Sequence, residues 1–243
     1  MRRTNGLFVF SIPLLVFICL AGPSHAKAQD LRPVTVGSPM PDFTLPAYQG
    51  GEVTISELRG KNVMLIFPRG RSRPDAWCHI CNYQHMELVY HEAANALRQQ
   101  ANLEILFVLP YGRDEVEEWM EAYPQQLQDL EDWKNPDQAT LDDAGRNRMQ
   151  FARRAFPKVF AVNQDRVPGP FPILIDGDRA VSNGLGFFTT DWGGSPAEQN
   201  VPTILLIDPE GTLQFKYMSQ NTMDRPPLEY LLQVIEVVGS ASR

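Results

Sequence analysis

Cysteine is scarce in this sequence, with only three residues among 243. Cys19 lies in an apolar N-terminal run, which leaves Cys78 and Cys81 for the rest of the chain. A secreted scaffold built on disulfides carries more cysteines, at varied spacings. The two remaining cysteines therefore form one local site, and the chain is long enough to bury a hydrophobic core without disulfides.

Positive charge is also in short supply. The sequence has 22 basic and 29 acidic residues, a net charge of −7 with histidine neutral. An acidic protein lacks the basic surface that binds nucleic acid or anionic lipid. We therefore expect no nucleic-acid partner. Internal repeats and low-complexity tracts are absent as well, so we expect one sizeable domain.

The N-terminus has the pattern of an export signal. Arg2 and Arg3 precede an apolar run at Leu7–Leu20, and Ala26–Ala28 has the small-x-small form of a cleavage site. The run is short for a membrane span, which needs about 20 apolar residues. We predict a signal peptide at residues 1–28 and an exported protein, periplasmic or extracellular. Cleavage removes three basic residues and no acids, moving the net charge to −10. An uncleaved segment anchoring the protein to the membrane is the alternative.

The segment Trp77–Cys81 (WCHIC) carries the chemistry expected of the chain. An apolar run at Asn62–Phe67 predicts a buried strand shortly before it, and residues 82–100 read as a helix after it. A cysteine at a helix N-terminus meets unpaired backbone N–H groups and the helix dipole, which stabilise a thiolate. The thiolate is the nucleophile in redox exchange. We expect Cys78 to attack and Cys81, one turn further, to resolve the mixed disulfide.

Apolar runs elsewhere predict an α/β protein. Further strands are expected at 42–46, 51–55, 103–109, 172–176, 201–208 and 212–218. Further helices are expected at 113–122 and 138–156, and a final helix is expected after Asp224, which we predict to cap it. The long polar segment at 111–170 reads as a helical insertion beside the core.

Three arginines, Arg69, Arg71 and Arg73, lie in the loop before Cys78. They are either an ordinary solvated loop or a positive collar that favours a thiolate and recruits anionic or polar substrate. His79 lies between the cysteines, where a positive or hydrogen-bonding ring would lower the pKa of the thiol.

The order of these features resembles the thioredoxin-like superfamily. Trp77 before the first cysteine looks like thioredoxin. Three stretches look like its redoxin branch, which holds the alkyl hydroperoxide reductase/thiol-specific antioxidant proteins and the exported thiol–disulfide oxidoreductases: VGSPMPDFTL (36–45), VTISELRGKNVMLIF (53–67) and VPTILLIDPEGTL (201–213). The resemblance covers about residues 36–238. It implies a thioredoxin-like fold over 29–243, with a central mixed sheet flanked by helices and the insertion.

The two kinds of protein in this branch differ at identifiable positions. Peroxiredoxins carry a proline seven residues and a Thr or Ser three residues before their reactive cysteine, where this chain has Arg71 and Asp75. They also carry an arginine where this chain has Pro202. Val201, Pro202 and Thr203 instead resemble the cis-proline loop of disulfide oxidoreductases, which pairs with the substrate backbone. We predict a cis bond at Val201–Pro202.

The resemblance favours an exported thiol–disulfide oxidoreductase with a redox-active Cys78–Cys81 pair. Its partners would be protein thiols or disulfides, or a thioredoxin-type reductant, with no cofactor and no metal. Two alternatives stay open. One is a peroxidase in which the arginine loop supplies the missing guanidinium and Cys81 condenses with a sulfenic acid on Cys78. The other is a non-catalytic protein whose cysteines form a structural disulfide, or half a metal site with His79 or His85.

Overall fold

The computed structural model describes residues 31–160 and 169–241. The predicted signal peptide at 1–28 lies outside the described residues. The strands are β1 Thr44–Pro46, β2 Glu52–Thr54, β3 Asn62–Phe67, β4 Arg71–Arg73, β5 Ala76–Trp77, β6 Leu103–Leu109, β7 Ile173–Ile175, β8 Phe188–Thr189, β9 Gln199–Asn200, β10 Thr203–Ile207 and β11 Leu213–Met218. The helices are α1 His79–Asn95, α2 Leu97–Gln100, α3 Arg113–Glu121, α4 Tyr123–Lys134, α5 Asp143–Ala155, α6 Ala180–Gly184 and α7 Leu228–Ala241, with 3-10 turns at Ile55–Leu58 and Gln138–Thr140.

Five strands form the central sheet, in the order β11-β10-β3-β6-β7. β3, β6 and β7 run parallel, whereas β10 is antiparallel to both β3 and β11. All six residues of β3 are buried, as expected for a strand covered on both faces. The predicted mixed sheet flanked by helices is confirmed.

The two faces of the sheet carry separate cores. Met64 and Ile66 of β3 point into a core shared with α1, α3, α4 and α7. Val63, Leu65 and Phe67 point into a second core, shared with the N-terminal segment and α6. Successive side chains of a strand alternate between faces, so one apolar run supplies both cores.

The helix after the cysteines differs from the prediction at both ends. α1 begins at His79, with Cys78 as its extended N-cap residue, and it ends at Asn95. Ala96 adopts a left-handed conformation (φ 48°), and its N–H donates to the Glu92 carbonyl. This break separates α2 from α1, because a left-handed residue cannot continue a right-handed helix.

In the described part of the predicted insertion, α3, α4 and α5 lie between β6 and β7. α4 was not predicted, although its buried Tyr123, Leu127 and Leu130 follow a helical spacing. A 3-10 turn replaces the start of the helix predicted at 138–156.

The prediction that Asp224 caps the final helix is wrong. α7 begins only at Leu228, after Pro226 and Pro227. The carboxylate of Asp224 instead accepts hydrogen bonds from the Tyr217 hydroxyl and the Gln220 N–H. None of the helices described in residues 31–160 and 169–241 is long and apolar enough to cross a membrane.

Candidate active site

The two cysteines lie at the start of α1, where the chain returns from the loop after β3. Cys78 is the N-cap residue, and its carbonyl accepts the N–H groups of Cys81 and Asn82. The turn brings the Sγ atoms of Cys78 and Cys81 to 3.0 Å from each other. Both cysteines are reduced and each is about 2% exposed. A disulfide has its sulfurs about 2.05 Å apart, so its formation needs a shift of only about 1 Å.

A guanidinium group from the far end of the chain contacts both sulfurs. Nη2 of Arg225 lies 3.4 Å from Sγ of Cys81 and 3.8 Å from Sγ of Cys78. Arg225 is partly buried in the loop between β11 and α7, where its Nη1 donates to Ser219 Oγ and the Asp224 carbonyl. The chain therefore supplies one cation directly to the cysteine pair.

In this reduced arrangement the surroundings favour a thiolate on Cys81 and a thiol on Cys78. Burial opposes its ionisation, but the hydrogen bond with Cys78, the Arg225 guanidinium and the backbone N–H of Arg69 hold the pKa of Cys81 well below its usual value. The hydrogen bond with Cys81, burial and the charge on Cys81 raise the pKa of Cys78 well above its usual value, against the effect of Arg225. The helix N-terminus alone predicted the thiolate on Cys78; the distribution of donors favours Cys81.

Hydrogen bonds and ring contacts hold the loop that carries Arg69, Arg71 and Arg73. The backbone N–H of Arg69 lies 3.3 Å from Sγ of Cys81. Its buried guanidinium donates to Gln199 Oε1 at 2.6 Å and lies 5.4 Å from the centre of the Trp192 ring. Arg69 thus reaches the sulfur through its main chain, while its side chain fixes the neighbouring loop.

The other two loop arginines differ in their surroundings. The guanidinium of Arg71 lies 4.2 Å from the centre of the Trp77 ring and 2.9 Å from a carboxylate oxygen of Glu118. Arg73 is exposed on the loop. Of the three predicted loop arginines, Arg73 is the one with its side chain open to solvent.

Trp77 is buried and helps to hold the loop before Cys78. Its ring packs edge-on against Tyr111, with centroids 5.2 Å apart. The Tyr111 hydroxyl donates to the Glu198 carbonyl at 2.7 Å and accepts the Arg71 N–H at 2.8 Å. These contacts fix the approach to α1, so in this structure Trp77 is a packing residue.

His79 packs against the insertion. Its ring lies edge-on to Trp133 of α4, with centroids 6.0 Å apart. Burial lowers the pKa of His79, while the charges of Asp129 and Cys81 oppose that effect. Burial thus favours the neutral ring, and the cation that contacts the cysteine pair is Arg225.

Val201, Pro202 and Thr203 lie at the start of β10, near the cysteine pair. Pro202 is buried and lines a small crevice together with Gln84 and Arg225. The Val201 N–H donates to the Phe187 carbonyl at 2.8 Å, and the Val201 carbonyl accepts the Thr203 hydroxyl at 2.9 Å. The backbone groups predicted to pair with a substrate thus have partners inside the protein. The cis bond at Pro202 stays a prediction.

Arg225 is the site residue that the sequence interpretation missed. It stands in a segment without helical or strand periodicity, just before two prolines. The signal available was a single basic residue between the last strand and the last helix. No cluster of three or more His, Cys, Asp or Glu side chains able to hold a metal occurs within the part of the chain that the structure describes.

Comparison with known proteins identifies the family. Residues 36–216, more than half of the chain, match the sequence model of the AhpC/TSA family. The chain belongs to this family. It is therefore a thiol-based redox protein of the redoxin branch, as the sequence motifs suggested, and its family contains enzymes of the oxidoreductase and peroxidase types. A search of curated sequences returns no significant match.

Solved structures share the fold at low sequence identity. A mutant of peroxiredoxin 6 from Arenicola marina has 14% identity and a TM-score of 0.51, over 84% of this chain and 72% of that one. A reduced 2-Cys peroxiredoxin from Plasmodium vivax has 16% identity and a TM-score of 0.49, over 86% and 83%. A putative protein disulfide isomerase from Bacteroides thetaiotaomicron has 19% identity and a TM-score of 0.48, over 85% and 91%. The likeness extends to the thioredoxin-like fold alone.

Proposed function

We propose that the protein is an exported thiol–disulfide oxidoreductase in which Cys78 forms the mixed disulfide with a substrate and Cys81 resolves it. The observation that carries the proposal is the pair of reduced sulfurs 3.0 Å apart, with the Arg225 guanidinium against both. Thiol–disulfide exchange needs two such sulfurs within bonding reach and one stabilised thiolate. The site brings both features together.

The shared proton allows either sulfur to act. Once the proton moves across the 3.0 Å hydrogen bond to Cys81, the thiolate of Cys78 attacks a substrate disulfide and one substrate sulfur leaves as thiolate. Cys81 then loses its proton and attacks Sγ of Cys78, which releases the second substrate sulfur. The protein is then oxidised by two electrons to the Cys78–Cys81 disulfide, and the substrate disulfide is reduced to two thiols. The reverse sequence oxidises a substrate dithiol.

The partners of this reaction are protein thiols and disulfides, or a thioredoxin-type reductant. Export rests on the sequence pattern of residues 1–28, with its basic start, apolar run and small-residue cleavage site. An oxidising compartment suits a protein whose task is disulfide chemistry. A mass measurement on the protein secreted by a bacterial host tests the predicted cleavage after residue 28.

Trapping the mixed disulfide tests the assignment of the two cysteines. Cys81→Ser should accumulate a covalent complex with a model protein disulfide, because the resolving thiol is missing. Cys78→Ser should not accumulate one, and the double variant is the blank. Non-reducing electrophoresis and mass spectrometry identify the linked residue. A stable complex through Cys81 in Cys78→Ser, with none in Cys81→Ser, would reverse the roles.

Thiol peroxidase activity is the second candidate, and two observations favour it. Both cysteines are about 2% exposed, which admits a hydroperoxide more easily than a protein chain. Arg225 also supplies a guanidinium at the sulfurs, although the peroxiredoxin-type positions hold Arg71, Asp75 and Pro202. In that reaction a cysteine thiolate takes one oxygen from the hydroperoxide, forming a sulfenic acid and an alcohol, or water from hydrogen peroxide. The second thiol then condenses with it, releasing water.

Rapid mixing distinguishes the two candidates. Reduced protein is mixed with hydrogen peroxide in one series and with an oxidised model protein in the other, while tryptophan fluorescence is followed. The buried Trp77 next to Cys78 provides a natural reporter. Fast disulfide exchange with slow peroxide oxidation supports the oxidoreductase. Fast peroxide oxidation that disappears in a cysteine variant, with slow exchange, supports the peroxidase.

A further inference from the structure

We propose that the Cys78–Cys81 pair acts as a disulfide donor, oxidising dithiols in its substrates, and that Arg225 sets this direction by stabilising the reduced pair. The inference rests on the proposed thiol–disulfide function and adds the direction of electron flow. Arg225 is a positioning residue: it stabilises negative charge on the cysteine sulfurs and need not touch the substrate.

The charge balance around Arg225 supports this direction. Apart from the sulfurs, its hydrogen-bond acceptors are neutral, namely Ser219 Oγ and the Asp224 carbonyl. The carboxylate of Asp224 is taken by the Tyr217 hydroxyl and the Gln220 N–H. Among the described residues, Arg225 forms no ion pair with a carboxylate. The cysteine thiolate is therefore the anion that the guanidinium contacts.

The Nε–H group is the donor of Arg225 that the contacts above do not use. This Nε is buried and has no hydrogen-bond partner within the described part of the chain, and the same holds for Nε2 of Gln84. Both residues line the small crevice beside Pro202. An unsatisfied buried donor costs about 1–3 kcal/mol. A guanidinium kept in such surroundings is poorly explained by hydrogen bonding within the loop and well explained by the thiolate.

Oxidation removes this interaction. A disulfide carries no net charge, so forming it takes away the thiolate that Arg225 contacts and leaves a partly buried cation without that partner. An interaction present in the reduced state and absent in the oxidised state shifts the redox equilibrium towards the reduced state. A dithiol pair whose reduced form is stabilised is a strong oxidant of other thiols.

The geometry is also unequal between the two sulfurs. Arg225 lies nearer to Cys81 than to Cys78, at 3.4 Å against 3.8 Å, and the Arg69 N–H points at Cys81 as well. Both groups thus stabilise negative charge on Cys81. When a substrate thiolate attacks Cys78 of the disulfide, Cys81 is the leaving sulfur, and a stabilised leaving thiolate departs faster.

The Cys78–Cys81 disulfide oxidises a substrate dithiol by two exchange reactions. A substrate thiolate attacks Sγ of Cys78, the Cys78–Cys81 bond breaks, and its electron pair stays on Cys81 beside Arg225. The second substrate thiol loses its proton and attacks the mixed disulfide, closing a substrate disulfide and returning Cys78, which takes up a proton. The substrate loses two electrons and the enzyme gains them. Re-oxidation by exchange with another disulfide, such as oxidised glutathione, completes the cycle.

Redox equilibria with glutathione buffers test the role of Arg225. The fraction of oxidised enzyme is measured for wild type, Arg225→Met, Arg225→Lys and the control Lys61→Met. Lys61 is an exposed cation paired with Glu104, next to the first residue of β3 and away from the cysteines. Arg225→Met should shift the equilibrium about tenfold towards the disulfide, which corresponds to a potential about 30 mV lower. Arg225→Lys should lie between, and Lys61→Met at the wild-type value.

Directional kinetics give the second measurement. Oxidised wild type is mixed with a reduced, unfolded model protein, and reduced wild type with the same protein in oxidised form. The oxidising direction should be the faster one at neutral pH, and its advantage should shrink about tenfold in Arg225→Met. Arg225→Gln serves as a second neutral variant if the methionine variant does not fold.

The outcomes separate this inference from the proposed function. If the cysteines do not exchange with glutathione in either direction, the oxidoreductase proposal itself fails. If they exchange normally but Arg225→Met and Arg225→Gln keep the wild-type potential, the role of Arg225 is disproved. If wild type reduces protein disulfides faster than it oxidises dithiols, the proposed direction is disproved while the oxidoreductase function stands.

Discussion

The guanidinium of Arg225 lies 3.4 Å from Sγ of Cys81, although the two residues are 144 positions apart in the sequence. The loop between β11 and α7 therefore completes a site that begins at the N-terminus of α1. Since β11, β10 and β3 are adjacent in the sheet, the end of β11 lies close to the helix that follows β3. The cysteine pair thus depends on a tertiary contact for its charge.

Titration of the thiolate gives the first prediction. Because Arg225 and the Arg69 N–H lower the pKa of Cys81, reduced wild type should hold one thiolate at neutral pH and lose it only on acidification. In Arg225→Met the thiolate should appear only closer to the usual cysteine value of about 8.5. Ultraviolet absorbance of the thiolate, referenced to the double serine variant, measures both curves. Superimposable curves for wild type and Arg225→Met would show that the guanidinium does not set the pKa.

Stability against pH gives the second prediction. The lowered pKa of Cys81 contributes stability that is complete above its unfolded value of about 8.5 and is lost as pH falls through its folded pKa. The raised pKa of Cys78 has the opposite sign: its contribution is complete below about 8.5 and is lost as pH rises further. Reduced wild type should therefore gain stability over the double serine variant up to about pH 8.5 and lose it above.

Urea unfolding at a series of pH values measures that difference. The slope should not exceed about 1.4 kcal/mol per pH unit, because one proton is linked at a time. The double serine variant removes both thiols and keeps every other titrating group, so its own pH dependence subtracts out. A difference that stays constant from acidic pH to pH 8.5 would contradict the lowered pKa of Cys81.

Packing of His79 on the insertion gives the third prediction. Burial lowers the pKa of His79, and Trp133 of α4 covers one edge of its ring. Trp133→Ala should expose the imidazole and raise its pKa towards the usual value of about 6.5. Proton NMR titration follows the ring directly. Phe151→Ala is the control, since Phe151 packs against Trp133. An equal rise in the pKa of His79 in both variants would show that the substitution loosens the insertion in general and that the Trp133 contact has no specific effect.

The elements of the sheet that surround this site could be predicted from the sequence. β3 and β6 have the predicted bounds, Asn62–Phe67 and Leu103–Leu109, because each is a mainly apolar run that ends directly before a proline, Pro68 or Pro110. The antiparallel pairing of β10 and β11 also follows from two apolar runs joined by a Pro-Glu-Gly turn. These signals are local, so a single sequence contains them.

The charge on the site could not be predicted in the same way. A helix N-terminus favours a thiolate on Cys78, but Arg225 and the Arg69 main chain favour Cys81. The Arg225 contact joins segments 144 positions apart, and the Arg69 contact depends on how the loop after β3 folds back onto α1. No periodicity in the sequence records either one. The arginine loop shows the same limit. Its sequence left a solvated loop and a positive collar as equal alternatives, whereas Gln199 and Glu118 bind the guanidinium groups of Arg69 and Arg71.

The loop before Cys78 gives the fourth prediction. Gly70 adopts a left-handed conformation (φ +76°), and its carbonyl accepts the Cys78 N–H at 2.8 Å. A Cβ at this position would lie 2.4 Å from the ring of Tyr111. Gly70→Ala should therefore cost about 1–2 kcal/mol for the backbone conformation and about 1–3 kcal/mol more for displacing the ring.

Gly50→Ala is the matched control for this prediction, because Gly50 also has a positive φ (+102°) but nothing lies within 4 Å of its Cβ position. It should lose only the backbone contribution in urea unfolding. Displacement of Tyr111 in Gly70→Ala should also break its bonds to the Glu198 carbonyl and the Arg71 N–H, which hold the loop leading to Cys78. Thiol reactivity should then change in Gly70→Ala and not in Gly50→Ala. Equal losses of stability in the two variants would mean that Tyr111 moves aside freely and that the loop does not depend on it.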